Sequence, residues 1–391
     1  MLKRLGAREF RRGKVSDAVS LEHFRCQFSS VSAQRLELPW EVLERVVDDL
    51  PGELSDVHVD AAEVLGREVS EAEVRVEWGK IRDGAPGEDG VRVSFVRHAD
   101  LHTQQLVATL VAKLARTEPD SWDPCIKTGL VVPLFKKGDR AVPSNYRGVC
   151  LLSLATRLLA RVMASRLRVW AEAIGVLGEW QQGFRTGRST ADAAQVFIRM
   201  HEELAREFAA RGDDTPRPED PVAILLDLEK AYPRVNRPLM WAILQRLGAP
   251  ATIVRTLQGL HEETAYRVRG KAGVSEVWIP ERGLREGCAT SPILFNVFHA
   301  VAANHAHRKR EAAASRSGQD VRIRWQWRPA HSLPPRCVRR ALRSDTTQEF
   351  RLTLSLFADD TTICGQGDEV DTGKSVFVEA IGELEERCNA A

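Results

Sequence analysis

The stretch that most constrains the fold is Leu352–Cys364, in which apolar residues alternate with polar ones up to Phe357. Two adjacent carboxylates, Asp359 and Asp360, interrupt the alternation before a second β-prone run begins. This pattern predicts a β-hairpin with an acidic tip. Neighbouring like charges repel each other unless a cation lies between them. An ordinary polar turn has the same pattern, so a third carboxylate elsewhere in the chain decides between the two interpretations.

That third carboxylate is Asp227, which directly follows the continuous apolar run Val222–Leu226. Such a run is typical of a buried strand, and an aspartate at its end is well placed for a metal or a substrate. A structural cap is the alternative interpretation. Three carboxylates on neighbouring strands can hold two Mg²⁺ ions roughly 3.5–4 Å apart, with Mn²⁺ as a possible substitute. The reaction class of such a site is in-line nucleotidyl transfer, in which the ions activate a hydroxyl and stabilise the leaving pyrophosphate.

A basic cluster lies earlier in the chain, where a short apolar strand from Leu130 runs into a turn carrying Lys136 and Lys137. A second strand begins near Asn145 and carries Arg147. Cations on a short β-ribbon can close over a triphosphate. A solvated basic hairpin remains the alternative.

Two glycine-containing turns lead into predicted helices. The first contains Arg185, Gly187 and Arg188, and either Ser189 or Thr190 can cap the helix that follows. Glycine, arginine and an aromatic side chain together can hold a nucleic-acid backbone and stack on a base. The second turn spans 283–290, with Ser291 predicted as the helix cap and Pro292 as the first helical residue. Its small residues would let a flat ligand lie on the start of the helix.

The bulk composition narrows the class of protein. A chain of 391 residues predicts two or three subdomains, and a net charge of +2 excludes a polycation. Charge is nevertheless concentrated, with 11 Lys or Arg against 3 Asp or Glu between Arg308 and Asp345. A nucleic-acid partner and a solvated loop both fit this excess.

Seven scattered cysteines, with no CxxC pair, indicate free thiols in a reducing compartment. We find neither a signal peptide nor an apolar run of membrane-spanning length. The chain is therefore expected in the nucleus or the cytoplasm, neither secreted nor held in a membrane.

Six motifs in a fixed order resemble those of a reverse transcriptase of the non-LTR (LINE-type) retrotransposons. The resemblance covers roughly residues 80 to 391, and the order makes it specific. The motifs are Ala85–Gly90, Pro133–Asp139 with Asn145–Arg147, Gln182–Thr190, Leu226–Tyr232, Gly283–Pro292 and Phe357–Asp360.

The resemblance implies an α+β right-hand polymerase fold with fingers and a palm, whose antiparallel sheet is flanked by helices. We expect a helical lead-in over 1–78, fingers over 79–221 and a palm over 222–391 that includes a basic insertion at 308–350. About thirty residues follow Asp360, so the thumb is expected to be missing or truncated. Neither an endonuclease before the polymerase region nor a CCHC knuckle is expected.

The resemblance also implies a role for each matching residue. Asp227 and Asp359 would be catalytic and bind the two ions, with the Leu228 carbonyl assisting and Asp360 as a less essential neighbour. Tyr232 would lie beneath the incoming sugar and exclude a 2′-hydroxyl. The residues expected to contact the dNTP are Lys136, Lys137, Arg147, Tyr232, Glu286 and Gly287. Those expected to contact template or primer are Arg185, Gly187, Arg188, Ser291, Pro292 and Phe357.

Three residues depart from the family pattern without removing a metal ligand. Pro233 follows the aromatic residue and fixes the backbone beneath Tyr232. Glu286 stands where the family usually has Gln, which brings an anion beside the triphosphate. Gly148 replaces the usual Pro after Arg147.

The predicted function is RNA-directed DNA polymerisation during retrotransposon replication. The partners implied are an RNA template, a DNA primer or nicked target DNA, and dNTPs, with an oligomeric state that the sequence does not indicate. One alternative is an inactive, thumb-less remnant that at most binds RNA. The other is a reverse transcriptase like the group II intron maturases.

Overall fold

A computed structural model describes the fold of this chain over most of its first three hundred residues. The described residues are 19–33, 55–178, 181–209, 222–228, 230–270, 273–301, 303, 323–324, 349–350, 354–357 and 360–365. Asp359, most of the predicted insertion at 308–350 and the end of the expected palm after residue 365 lie outside the described residues.

The described residues before Gly129 are mainly helical. Three of its helices begin after a residue whose side chain accepts the backbone N–H three positions further on, namely Ser20, Ser70 and Asp100. The helices are α1 (Leu21–Ser32), α2 (Asp56–Gly66), α3 (Glu71–Lys80), α4 (Val93–Arg97), α5 (Leu101–Leu114) and α6 (Pro124–Lys127).

The predicted basic hairpin is present as β1 (Gly129–Phe135) and β2 (Tyr146–Leu152), an antiparallel pair in which Phe135 faces Tyr146. Its turn is closed by the Lys136 N–H, which donates to the Asn145 carbonyl at 2.9 Å. The long amphipathic helix α7 (Leu154–Ala173) follows β2 directly. Because the side chain of Ser153 accepts the Thr156 N–H, the strand passes into the helix with its first turn capped.

The helical lead-in shares its core with the residues that follow it. Leu65 of α2 and Val74 of α3 belong to the same buried cluster as Leu158 and Leu167 of α7. The predicted boundary after residue 78 falls within α3. Residues on both sides of that position are therefore packed together rather than separated by a linker.

The glycine-rich segment 79–91 continues from the end of α3 as an irregular loop that packs on the start of α7. A Cβ on Gly87 would lie 2.4 Å from the Leu152 carbonyl carbon, so only glycine allows this approach. The Asp89 carboxylate accepts the Leu154 N–H at 2.7 Å. In the described structure this loop supports the junction between β2 and α7.

After a turn at 181–189 the chain forms α8 (Thr190–Ala209). Ser189 is the cap, because its hydroxyl accepts the Asp192 N–H at 3.3 Å while the Asp192 carboxylate accepts the Ser189 N–H at 2.7 Å. This reciprocal pair is a capping box, and it confirms one of the two caps predicted from the sequence.

The next elements are β3 (Val222–Leu226), the short helix α9 (Ala231–Arg234), α10 (Arg237–Arg246) and α11 (Ala251–His261), then β4 (Tyr266–Gly270) and β5 (Gly273–Val274). α10 is capped by Asn236, whose side chain accepts the Leu239 N–H at 2.9 Å. β4 pairs in parallel with β1, which gives a four-stranded sheet in the order β2-β1-β4-β5.

The helix α12 covers 291–301, and four further strands follow it. They are β6 (Ile323–Arg324), β7 (Glu349–Phe350), β8 (Leu354–Phe357) and β9 (Asp360–Gly365). β6 and β7 pair with each other within the predicted insertion. β3, β9 and β8 form an antiparallel sheet in that order, and α8 packs against β8 and β9. The hairpin predicted from Leu352–Cys364 is thus confirmed in the backbone.

Among the described cysteines, Cys26, Cys125, Cys150 and Cys288 are all free thiols. This agrees with the interpretation of the scattered cysteines. Within the same described residues, we find no helix that is both long and apolar enough to cross a membrane.

Candidate functional site

The strand register brings two of the predicted carboxylate positions together. Leu226, the last residue of β3, pairs with Thr361 of β9, and Phe357 of β8 pairs with Asp360. Continuing the first register by one residue sets the backbone of Asp227 opposite that of Asp360. Asp227 is exposed at this end of the sheet. The sheet therefore carries two acidic positions side by side at one end.

The donor chemistry at this end of the sheet fits a hard divalent cation. Carboxylate oxygens are the ligands that Mg²⁺ prefers, and Asp227 and Asp360 enter from adjacent strands. Leu228, which follows Asp227, is half-buried and packs against the core. No group of three His, Cys, Asp or Glu side chains forms among the described residues, which include neither Asp359 nor the side chain of Asp360.

Tyr232 lies in α9, immediately after the turn that follows β3. Its half-buried ring stacks on Phe295 of α12, with centroids 5.0 Å apart and planes inclined by 29°. Its carbonyl accepts the Leu284 N–H at 2.8 Å. Tyr232 is therefore held by a ring contact on one side and a backbone hydrogen bond on the other.

Pro233 fits this geometry because it lies in the first turn of α9, where a missing N–H leaves no helical bond unmade. The facing residue is Gly283, which has a φ of +89°, and a Cβ there would lie 2.3 Å from the Pro233 carbonyl oxygen. The Gly283 N–H donates to the Val235 carbonyl at 2.8 Å. The Tyr232 turn and the loop at 283–290 are consequently packed backbone to backbone.

The loop at 283–290 is also docked on the edge of β2. The Cys150 N–H donates to the Glu286 carbonyl at 2.7 Å, and a Cβ on Gly287 would lie 2.6 Å from the Cys150 carbonyl oxygen. The buried Arg285 guanidinium donates to the Lys127 carbonyl at 2.7 Å and lies over the Tyr266 ring, with Cζ 5.7 Å from its centroid. This docking sets Glu286 and Gly287 beside the basic hairpin.

The basic hairpin presents its cations to solvent. Lys136 and Lys137 are exposed in the turn, and Arg147 is exposed on β2. The Arg147 Nε lies 3.7 Å from Glu286 Oε2, which forms an ion pair between the hairpin and the loop at 283–290. Arg140 lies over the Phe135 ring, with Cζ 4.2 Å from the ring centroid. The three basic residues predicted to contact the triphosphate thus lie on one hairpin, with Glu286 beside Arg147.

The turn before α8 differs from what the sequence indicates. Arg185, expected to face a template, is buried, and its Nε donates to Glu172 Oε1 at 2.7 Å. It also donates to the Gly178 carbonyl at 2.9 Å, so the guanidinium holds the end of α7 against the turn. The Arg185 guanidinium therefore stabilises the turn from the interior. It does not face outward towards a template, as the sequence predicted.

Other residues of the same turn lie at the surface. Gly187 is exposed with a φ of +77°, and Phe184 is 49% exposed with a φ of +57°. Arg188 is half-buried and donates to the Gln182 side-chain oxygen at 3.2 Å. On the inner side, the Asn296 amide of α12 donates to the Gly183 carbonyl at 2.7 Å. The turn is therefore anchored from α12 and presents Gly187 and Phe184 outward.

Ser291 and Pro292 occupy the start of α12, one residue earlier than predicted. The helix begins at Ser291, so Thr290 takes the position before it. The Ser291 side chain is buried, and its hydroxyl donates to the Arg285 carbonyl at 2.7 Å. Pro292 is half-buried. Phe357, the last predicted template or primer contact, is described only through its backbone pairing with Asp360.

One buried polar cluster behind the site was not predicted. The His261 Nε2 and the Thr290 Oγ1 lie 2.9 Å apart, and the Arg237 guanidinium donates to the His261 and Pro280 carbonyls. Burial lowers the pKa of His261 well below its usual range, and the nearby Arg285 and Arg237 cations lower it further. These residues are far apart in the chain and share no motif, so the sequence carries no signal for the cluster.

Acidic positions on adjacent strands at one end of a sheet suit a site for metal-assisted phosphoryl transfer. The chain belongs to the reverse transcriptase (RNA-dependent DNA polymerase) family, whose family model matches residues 135–391. The resemblance found in the motifs is thereby confirmed.

The curated relatives point to retrotransposons. The chain is 25% identical over 219 residues to a probable RNA-directed DNA polymerase from transposon BS of Drosophila melanogaster, covering 55% of this chain and 22% of the relative. It is 25% identical over 234 residues to a Pol polyprotein from the type-1 retrotransposable element R2 of Popillia japonica, covering 59% and 30%. A putative 115 kDa protein in element R1DM of Drosophila melanogaster is 33% identical over 113 residues, covering 28% and 10%. The chain therefore spans less than a third of the length of these relatives.

Proposed function

We propose that this chain is the fingers and palm of an RNA-directed DNA polymerase that extends a DNA primer, or nicked target DNA, with dNTPs on an RNA template. The observation that carries the proposal is the register of β3, β9 and β8, which sets Asp227 opposite Asp360. Family membership supports the same reaction class.

In this proposal Asp227 and Asp359 hold the cations, the Leu228 carbonyl assists and Asp360 is a less essential neighbour. When bound, two Mg²⁺ ions, or Mn²⁺ in their place, supply Lewis-acid stabilisation of the charge on the transferring phosphate. The carboxylates keep the reacting end of the sheet negatively charged, which favours cations there and disfavours a bare phosphate.

The nucleotide lies between the basic hairpin and the loop at 283–290. Lys136, Lys137 and Arg147 hold the triphosphate by charge-assisted hydrogen bonds. Glu286 and Gly287 form the opposite wall, because their backbone is docked on Cys150. The reacting phosphate is then positioned by groups from β1, β2 and the loop together.

Tyr232 supports the sugar, and the helix starts support the strands of template and primer. The ring of Tyr232 is held against Phe295, and in this proposal it excludes a 2′-hydroxyl from the sugar site. Gly187, Arg188, Ser291, Pro292 and Phe357 stay assigned to the template and primer. Arg185 is assigned to support of the turn, because its guanidinium is enclosed by Glu172 and backbone carbonyls.

Primer extension tests the proposal directly. Purified protein is given Mg²⁺, an RNA template with an annealed DNA primer, and dNTPs. We expect extension by the wild type and a loss of at least about 100-fold in Asp227→Asn and Asp359→Ala, because charge stabilisation at the reacting phosphate is removed. Asp60→Asn is the matched control, since Asp60 is an exposed carboxylate of α2.

Two outcomes contradict the proposal. Primer extension by Asp359→Ala at the wild-type rate would show that the Asp359 carboxylate is not needed for catalysis. A wild type that binds the RNA but never extends the primer would indicate a catalytically inert relative.

A further inference from the structure

The ion pair between Arg147 and Glu286 joins two residues that the proposed function places on opposite walls of the nucleotide site. Arg147 Nε and Glu286 Oε2 lie 3.7 Å apart, and their side chains are 56% and 26% exposed. The guanidinium is thus partly in contact with solvent and partly engaged by the carboxylate. A carboxylate in this place carries the same sign of charge as the phosphates that the hairpin is proposed to hold.

The backbone of Glu286 is held in place beside the hairpin. The Glu286 carbonyl accepts the Cys150 N–H at 2.7 Å, and Gly287 leaves no room for a Cβ beside Cys150. On the other side, the Arg285 carbonyl accepts the Ser291 hydroxyl at 2.7 Å. The Glu286 side chain can therefore move away only by changing its rotamer, because the loop itself is bound on both sides.

We propose that Glu286 competes with the incoming triphosphate for Arg147, so that a dNTP gains this guanidinium only by displacing the carboxylate. The inference rests on the proposed function, which places both residues at the nucleotide. The carboxylate beside Arg147 Nε offsets part of the guanidinium charge, so a phosphate gains the full charge of Arg147 only when the carboxylate moves aside. The competition makes Glu286 a residue that sets nucleotide affinity, and the chain binds dNTPs more weakly than its basic hairpin alone would.

The experiment compares the KM for dNTP in four proteins: wild type, Glu286→Gln, Arg147→Gln and the double variant. Because a partly exposed ion pair is weak, we expect Glu286→Gln to lower KM by roughly two- to five-fold. In the Arg147→Gln background the same change is expected to have no such effect. Glutamine matches glutamate in size, so the comparison isolates the charge.

Glu68→Gln is the matched control, because Glu68 forms an ion pair with Arg116 at 3.4 Å on the surface of the helical lead-in. It removes the same charge from the protein and is expected to leave KM unchanged. An equal fall in KM in this control would show a general charge effect and overturn the proposal.

Two further results overturn it. An unchanged or raised KM in Glu286→Gln would show that the carboxylate does not compete. An equal fall in KM with and without Arg147 would show direct repulsion of the triphosphate instead. Equilibrium dialysis measures the dissociation constant of a dNTP for the same proteins and does not depend on catalysis. The competition can therefore be tested even if the protein does not extend a primer.

Discussion

At the scale of single residues, the place of Tyr232 depends on groups that are distant in the chain. Phe295 lies against its ring, and the Leu284 N–H fixes its carbonyl. Neither of these two contacts involves the phenol oxygen of Tyr232. The half-buried ring of Tyr232 is therefore held in place by residues of the loop at 283–290 and of α12.

We expect Tyr232→Ala to increase incorporation of NTPs relative to dNTPs by about tenfold, because a small side chain leaves room for a 2′-hydroxyl. The measurement is the ratio of kcat/KM for a matched NTP and dNTP in primer extension. Tyr232→Phe keeps the ring and is expected to keep the wild-type ratio. If the ratio does not change in Tyr232→Ala, the assignment of the sugar contact is wrong.

At the scale of secondary-structure elements, the turn between α7 and α8 is organised around a buried cation. Arg185 donates to Glu172 near the end of α7 and to the carbonyls of Gly178 and Gln181 in the turn. The side chains of Arg185 and Glu172 are 5% and 34% exposed. Removal of the Arg185 guanidinium would take a hydrogen-bond donor away from Glu172 and from both carbonyls in a turn that is largely buried.

We therefore expect Arg185→Met to lower the free energy of unfolding by roughly 2–4 kcal/mol, since one partner of a largely buried ion pair is removed. Arg188→Met in the same turn is expected to weaken binding of the RNA template with a smaller loss of stability, because Arg188 lies nearer the surface. Urea unfolding and a filter-binding assay measure the two effects. The reverse pattern, with Arg185→Met stable and defective only in RNA binding, would restore Arg185 to the template surface.

The same elements show what the sequence can predict. Alternating and continuous apolar runs predicted β3, the hairpin of β8 and β9, and the hairpin of β1 and β2, because period and turn residues are local properties. Asp227 was found because it comes directly after a predicted strand.

Contacts made by distant segments were beyond the reach of sequence patterns. An arginine in a glycine-containing turn has the pattern of a surface cation, and its burial depends on how α7 meets the turn at Glu172. The docking of Glu286 on Cys150 joins residues that no periodicity relates. Both depend on tertiary packing, which overrides what the local sequence indicates.

At the scale of the whole molecule, His261 links three segments in the core. It ends α11, it faces Thr290 before α12, and its carbonyl accepts from Arg237 at the start of α10. Because its pKa is lowered by burial and by two nearby guanidiniums, the native protein holds it neutral. The unfolded chain has no such restriction.

The stability of the native state is therefore expected to fall as the pH decreases below about 6.5, the ordinary pKa of histidine. Above that pH neither state binds the proton, whereas below it only the unfolded state does, so each pH unit costs up to about 1.4 kcal/mol. Urea unfolding at pH 7.5 and pH 5.5 measures the loss. His261→Gln should reduce it, while His102→Gln, which changes an exposed histidine, should not. An equal loss in wild type and His261→Gln would contradict the assignment.

The pairing of β1 has a mechanical consequence for the hairpin that carries Lys136 and Lys137. β4 accompanies β1 only from Gly129 to Val131, whereas β2 accompanies it as far as Phe135. Beyond Val131 the support comes from β2 and from α1, because the buried Tyr146 ring meets the Phe24 ring edge-on with centroids 4.8 Å apart. A displacement of the two lysines is therefore expected to be transmitted through Tyr146 to the helical lead-in as well as along the sheet.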